Sequence, residues 1–367
     1  MFNFEPAVIS YVRMDNFIKN LEIKNFKSIK HLTLDCKRVN VFIGKPNVGK
    51  SNILEALGLL GPPSLKFQLE GYKFLDKIVR YNKLQNLFHE NATKIGESIN
   101  ISSNLGYVGL LNYSHTLGFM FYLGGKELDG GLWSELNTEN GEVFGPCFRI
   151  NLNEKGEILK VFQDNFHELC KKYDFIGVDR YSYNDIGNHD SLFLHGENLF
   201  EIVDNLPQLR KEIANRIKDY GLDFVLSRID NSFEIERRED GYVYKYPYSS
   251  IADTFQRFIF YLAAIESNKD SVLIFEEPEV HSFPPYVKEL AERMILKDDN
   301  QYFVSTHSPY LLQTFIDSLD DTQLNVYLTY YKDYQTHVKA LTSEELRDIQ
   351  DFGYDVFFNL RKFEPND

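Results

Sequence analysis

Val39-Asn40-Val41-Phe42-Ile43-Gly44-Lys45-Pro46-Asn47-Val48-Gly49-Lys50-Ser51 decides how this chain folds. Its first five residues form a compact apolar run, the pattern of a buried strand. Gly44 to Ser51 then fits G-x-x-x-x-G-K-[ST] at every defined position. From Ser51 to Leu60 the spacing predicts a helix, with Ile53, Leu54, Leu57 and Leu60 on one face. Gly61-Pro62-Pro63 ends it. A glycine-rich loop between a buried strand and a helix is the context that a phosphate-binding P-loop requires. Glycines let backbone N–H groups curl around a β-phosphate, and the helix N-terminus adds partial positive charge. The reading makes Gly44, Lys45, Pro46, Asn47, Val48, Gly49, Lys50, Ser51 and Asn52 the nucleotide-binding residues. Lys50 reaches the β- and γ-phosphates, and the Ser51 hydroxyl ligates Mg²⁺.

A P-loop needs a second carboxylate for the magnesium, at the end of a neighbouring strand. Val272-Leu273-Ile274-Phe275 runs straight into Glu276, Glu277, Pro278 and Glu279. Carboxylates in apolar surroundings are costly unless paired or bound to a metal. Glu276 is therefore expected to support the magnesium, a Glu where an Asp is usual. Side chains alternate along a strand, so Glu277 points elsewhere, toward the attacking water, as general base or water-positioner. Mg²⁺ and the Lys50 ammonium are expected to supply the positive charge beside these acids. A second apolar strand, Tyr302 to Ser305, ends in Thr306-His307-Ser308-Pro309. His307 is placed to hydrogen-bond the γ-phosphate or the attacking water.

Composition allows this reading and narrows it. The 367 residues are 43% hydrophobic, enough for one large domain or two modest ones. The formal net charge is -14, whereas a DNA-coating protein is usually basic, so DNA is not favoured as the main ligand. No apolar run approaches the roughly 20 residues of a membrane span, and the N-terminus does not read as a secretory signal. Cys36, Cys147 and Cys170 are widely spaced and odd in number, which fits a reducing, cytoplasmic setting and argues against a disulfide framework.

Along the chain, Leu21 to Leu34 alternates as two short strands. A helical piece is expected over about 69–88, then strands near 97–103, 107–123 and 143–162. Residues 196–220 read as helix with a break at Pro207, and 222–247 as strands with a hairpin turn at Asp240-Gly241-Tyr242. Helices are expected over 251–265 and 286–296, strands over 324–331 and 335–340, and a final helix capped at Thr342 or Ser343. The expected organisation is an N-terminal lobe, 1–165, with an antiparallel β subdomain. A helical insertion follows at 166–225, a C-terminal lobe at 226–341, and a helical tail at 342–367.

Taken together, GKPNVGKS, the distant IFEEPEVHSFP and then VSTHSP resemble the ABC-type ATPases of the SMC, RecF and OLD group. LEIKNFKSIKHLTL is similar to that group's opening hairpin. The resemblance implies an α/β P-loop NTPase of ABC-ATPase type, with a mixed central sheet. It implies ATP and Mg²⁺ as cofactors, ATP hydrolysis, and a dimer or larger homo-oligomer. It also implies a signature motif before the Walker B strand, matched by Tyr248 to Arg257. Here Ala252 and Asp253 stand where Ser-Gly or Gly-Gly is common, but Ser250, Asp253 and Arg257 could still receive a γ-phosphate from a partner subunit. Gln85 is the candidate for the group's Q-loop glutamine. Glu279 and His281 belong to the group's E-x-H element, which is expected near the subunit interface.

The patterns EEPE-H-SFPPY and ADT-QR-IFYLAAIES are similar to the stand-alone ATPase subunit of PARIS-type anti-phage systems. That subunit implies a sensor or scaffold holding a separate effector, such as a Toprim nuclease, until a phage protein triggers it. A RecF-like ATPase that clamps DNA and a slow or non-hydrolysing ATP-bound scaffold are the alternatives.

Overall fold

The computed structural model describes residues 16–61, 73, 75–91, 94–113, 118–125, 136–137, 143–144, 148–163, 170–176, 190–352 and 356–365. The chain opens with an antiparallel pair, β1 (Asn20–Phe26) and β2 (Ile29–Asp35), and then β3 (Val39–Ile43) leads through the glycine-rich loop into helix α1 (Lys50–Leu59). Next come β4 (Ser98–Ser103), β5 (Gly106–Asn112) and β6 (Phe119–Gly125), a two-residue pair β7 (Leu136–Asn137) and β8 (Val143–Phe144), and β9 (Phe148–Leu152) with β10 (Ile158–Gln163). β11 (Cys170–Tyr173), α2 (Leu199–Asn205) and α3 (Pro207–Lys218) precede a meander of β12 (Asp223–Ser227), β13 (Ser232–Glu239) and β14 (Tyr242–Pro247). The last third alternates α4 (Asp253–Glu266), β15 (Val272–Glu276), α5 (Pro284–Leu296), β16 (Gln301–Ser305) and α6 (Pro309–Ser318). It closes with the hairpin β17 (Leu324–Lys332) and β18 (Gln335–Ala340), then α7 (Ser343–Phe352).

Two large sheets result. One is antiparallel with seven strands, in the order β10-β9-β6-β5-β4-β1-β2. The other is the mixed central sheet, β11-β15-β16-β3-β17-β18, parallel except for β18. Residues of the central strands alternate between two cores. Phe42, Val272, Ile274 and Phe303 pack with α1 and the antiparallel sheet. Val41, Leu273, Phe275 and Val304 pack with α4, α5 and α6. Cover on both faces explains why β3 and β16 are buried throughout and read as unbroken apolar runs.

The expected mixed sheet and antiparallel subdomain are the fold found. Two expectations change. Between 69 and 88 the described residues form only short 3-10 turns, Leu75–Lys77 and Leu84–Leu87. Leu75, Ile78, Val79, Leu84 and Leu87 have helical spacing, yet they serve as separate anchors buried against the antiparallel sheet. Packing thus overrides a weak local propensity. The segment expected as a helical insertion also includes β11, an edge strand of the central sheet paired in parallel with β15. The tail helix is capped as expected: Thr342 Oγ1 accepts from the Glu345 N–H at 3.2 Å, and Glu345 Oε2 accepts from the Thr342 N–H at 2.8 Å.

The β17–β18 hairpin shapes the glycine-rich loop from behind. Thr336 Oγ1 donates to the Val48 carbonyl at 2.9 Å and also contacts Ser28 Oγ at 2.6 Å. Gly49 has φ 102°, and a Cβ there would lie 2.9 Å from Ser28 Oγ and closer still to Thr336 Oγ1. Gly49→Ala is expected to cost roughly 2–4 kcal/mol, from a strained left-handed φ plus overpacking. Thermal melting checks this; a variant that melts with the wild type removes the close approach as the reason for glycine.

Candidate functional site

Loops at the carboxyl ends of β3, β15 and β16 enclose a cavity of about 720 Å³. Its walls carry Pro46 to Asn52, Lys27, Glu55, Arg80, Glu276, Glu277 and His307. An α/β sheet places its ligand crevice at this end of the strands. Register explains the convergence: Glu276 lies beside Ser305 in the parallel ladder, and Ser305 lies beside Phe42. The last residues of the three strands are thereby level.

Lys50 is 5% exposed. Its ammonium donates to the carbonyls of Gly44 and Lys45, each at 3.0 Å, which closes the loop around the charge. Burial lowers its pKa, and the carboxylates of Glu277, Glu276 and Glu279 oppose that shift. An ammonium has three donors, so one remains for a phosphate oxygen.

The Ser51 hydroxyl lies beside Glu276 and favours its charged form. Glu276 pairs with Arg80 Nη2 at 2.9 Å and Lys172 Nζ at 3.5 Å. Burial alone would raise its pKa; Lys172, Ser51 and Arg80 outweigh it, and the carboxyl is held below its ordinary value. The cations that stabilise this strand-end acid therefore include two side chains of the protein itself, beyond the Mg²⁺ and Lys50 expected. Lys172 comes from β11 and is 4% exposed. Arg80 also donates from Nε to Glu55 at 2.8 Å, and Glu55, 1% exposed, pairs with Lys27 as well. Arg80, Lys172, Lys27 and Glu55 belong to no P-loop motif; only Glu55, one turn after Ser51 on α1, lies near the loop in sequence.

Glu277 takes φ 43°, a left-handed conformation for a non-glycine residue. Its N–H donates to the Ser305 carbonyl at 3.0 Å, which holds that backbone in place. Its Oε1 lies 3.4 Å from Nε2 of His307. Burial and the nearby Lys50 charge lower the His307 pKa, and Glu277 opposes them. The imidazole is therefore neutral at pH 7. If it positions water or phosphate in that form, protonation removes the function. Turnover is then expected to stay flat from about pH 7 to 8.5 and to fall only below roughly 6.5, the ordinary histidine value. A pH–rate profile reads this, and an acid limb centred well above pH 7 would contradict it.

The structure gathers Lys50, Ser51, Asn52, Glu276, Glu277 and His307 in one cavity. Lys45 turns outward to pair with Glu364 at 2.8 Å. Gly44 packs from behind, where a Cβ would lie 3.2 Å from Val48 Cγ2 and nearer still to the Thr329 carbonyl. Ser250 and Asp253 are exposed and do not line the cavity. Arg257 lines a neighbouring cavity of about 210 Å³, pairs with Asp253 at 2.7 Å and lies 4.7 Å over the Phe175 ring. Gln85 does not line the cavity either; Arg80 stands on that wall. Within the E-x-H element, Glu279 turns inward, while His281 faces solvent 3.5 Å from Asp253.

Mg²⁺ fits this chemistry. The hydroxyl of Ser51 and the carboxylate of Glu276 are neighbours in this cavity, two hard oxygen donors of the kind the ion takes beside water and phosphate.

A family model described as AAA domain, putative AbiEii toxin, Type IV TA system, matches residues 39–313. An uncharacterised protein of Methanocaldococcus jannaschii is 32% identical over 102 residues, which span 25% of this chain and 44% of that protein. Among solved structures, the SmcHead bound to the C-winged helix domain of ScpA is 15% identical, with a TM-score of 0.48, over 91% of this chain and 100% of its own. The SMC head domain from Thermotoga maritima is 14% identical, with a TM-score of 0.39, over 89% and 99%.

Proposed function

The chain belongs to the AAA domain family described as putative AbiEii toxin, Type IV TA system, and we propose that it is an ABC-type ATPase that binds Mg·ATP and hydrolyses it. The observation that carries this is the single cavity in which Lys50, the Ser51–Glu276 pair and the Glu277–His307 pair converge. Backbone N–H groups of residues 47–51 and the N-terminus of α1 receive the phosphates. Lys50 offsets charge on the β- and γ-phosphoryl oxygens. Ser51 and Glu276 would hold Mg²⁺, which would supply further charge neutralisation. Glu277 accepts a proton from the attacking water, and His307 orients Glu277 and the γ-phosphate. Purified chain incubated with Mg·ATP tests this: phosphate release that disappears on chelating the metal supports it, and no release under any metal removes it.

We further propose that the protein works as a homo-oligomer. Ser250, Asp253 and Arg257 are not directed into the cavity of their own chain, so a second subunit is the place for them to meet a nucleotide. Blocking hydrolysis should trap that assembly. Glu277→Gln is expected to elute at a higher mass with ATP than without, and an unchanged mass would contradict it.

The physiological role proposed is that of a sensor or scaffold in anti-phage defence, holding a separate effector such as a Toprim-type nuclease until a phage protein triggers it. The similarity at Glu276 to Tyr286 and at Ala252 to Ser267, and the family's Type IV TA description, support this. The net charge of -14 weighs against the RecF-like DNA clamp. DNA affinity with a steep salt dependence would favour the clamp instead.

A further inference from the structure

The side chain of Glu279 turns into the fold. Its Oε1 accepts two hydrogen bonds, from Thr306 Oγ1 and from the backbone N–H of His307, each at 2.7 Å. Its Oε2 is buried and has no hydrogen-bond partner. The other backbone N–H groups of that stretch are also taken. The Thr306 N–H donates to the Phe42 carbonyl at 3.1 Å, and the Ser308 N–H donates to Thr306 Oγ1 at 2.9 Å. Ser308 then caps α6 by accepting from the Leu311 N–H at 3.3 Å. Thr306 itself is fully buried. Glu279 thus supplies the one acceptor for the His307 N–H, and the imidazole is left free to face Glu277.

The other end of this arrangement is the turn that carries Glu277. Val280 N–H donates to the Glu277 carbonyl at 3.0 Å, and Ser282 N–H donates to the Glu279 carbonyl at 2.9 Å. With Glu277 at φ 43° and Pro278 next, Glu277 and Glu279 project from one rigid turn. Two residues apart, one faces the imidazole of His307 and the other grips its main chain.

We propose that Glu279 is a positioning residue for ATP hydrolysis: it holds the His307 backbone so that the imidazole keeps its register with Glu277. This rests on the ATPase reading above. Loss of the grip displaces a reacting group while the P-loop contacts to the nucleotide stay in place, so kcat falls far more than KM changes. Burial raises the Glu279 pKa, against the opposing bonds from Thr306 and His307; an amide of the same reach keeps an accepting oxygen for both donors.

The test compares wild type, Glu279→Ala and Glu279→Gln in Mg·ATP turnover and in binding of a fluorescent ATP analogue. A displacement of about 1 Å costs on the order of 100-fold in rate, so Glu279→Ala should lose kcat on that scale with KM within about threefold. Glu279→Gln keeps an accepting oxygen and should restore kcat to within several-fold. The proposal is overturned if Glu279→Ala turns over like wild type, or if Gln is as impaired as Ala. Histidine ring resonances, with His307 assigned from His307→Asn, give a readout that does not need turnover. Glu279→Ala should shift the His307 signal and Glu279→Gln should leave it near its wild-type position; an unmoved signal in Glu279→Ala sinks the idea even if the chain proves not to hydrolyse ATP. A wild type that binds no nucleotide, with the His307 shift still present, would fault the ATPase reading alone. If Glu279→Ala does not fold, Thr306→Val, which removes one of the two donors, replaces it with the same expected direction.

Discussion

Lys50→Ala is expected to abolish useful Mg·ATP binding. The ammonium sits at 5% exposure between the carbonyls of Gly44 and Lys45, each at 3.0 Å. It is the cationic side chain at the centre of the loop. The remaining N–H and the charge itself would meet a phosphate oxygen, in surroundings that screen poorly. Hydrogen bonds to charged groups contribute about 1.5–3 kcal/mol each, and removing the ammonium also removes its longer-range attraction. A loss of roughly 3–4 kcal/mol is a 100- to 1000-fold fall in affinity. Calorimetric titration with a non-hydrolysable ATP analogue measures it directly. Affinity within threefold of wild type would break the reading of Gly44–Ser51 as the nucleotide site. Because Lys50 also ties two loop carbonyls, melting of the variant should be recorded alongside; a small change in melting with a large loss of affinity assigns the effect to the phosphate contact.

Glu277→Gln is expected to lower kcat by about 10²- to 10⁴-fold, the range for removing a positioned general base, while leaving nucleotide affinity near wild type. The amide keeps the size and the left-handed backbone that Ser305 secures at 3.0 Å, so the change is confined to basicity. Single-turnover hydrolysis separates the two quantities. Equally slow turnover in wild type and variant would favour an ATP-bound scaffold that does not depend on hydrolysis. A large loss of affinity with kcat preserved would move Glu277 out of the water-handling role and into phosphate or metal contact.

The comparison of Glu276 with Ser250 shows where sequence reading succeeds and where it stops. Glu276 ends an apolar run, and the run is buried on both faces because it lies inside a sheet covered on both sides. A short local pattern determines both the strand and the position of the acid at its tip. Ser250, Asp253 and Arg257 are equally close to a recognisable local pattern, yet the structure leaves Ser250 and Asp253 exposed and turns Arg257 to Asp253 and the Phe175 ring. Local pattern says what a segment forms, not which cavity its side chains reach. The apolar spacing between 75 and 88 fails for the same reason: helical periodicity was met by anchors packing on the antiparallel sheet.

The sequence by itself determined the strand–loop–helix around Lys50, the carboxylate tip of the strand at 272–276, the histidine after the strand at 301–305, and hence an α/β nucleotide-binding class. All of these depend on residues within a few positions of one another, where backbone conformation and strand or helix period are set locally. Only the tertiary structure decided what surrounds Glu276 and His307. Arg80 is 196 residues from Glu276, and Glu279 is 28 residues from the His307 N–H that it accepts. Such pairings leave no periodic trace, since their energy comes from burial and charge compensation that exist only once β11, β15 and β16 lie side by side and the Arg80 loop packs across their ends.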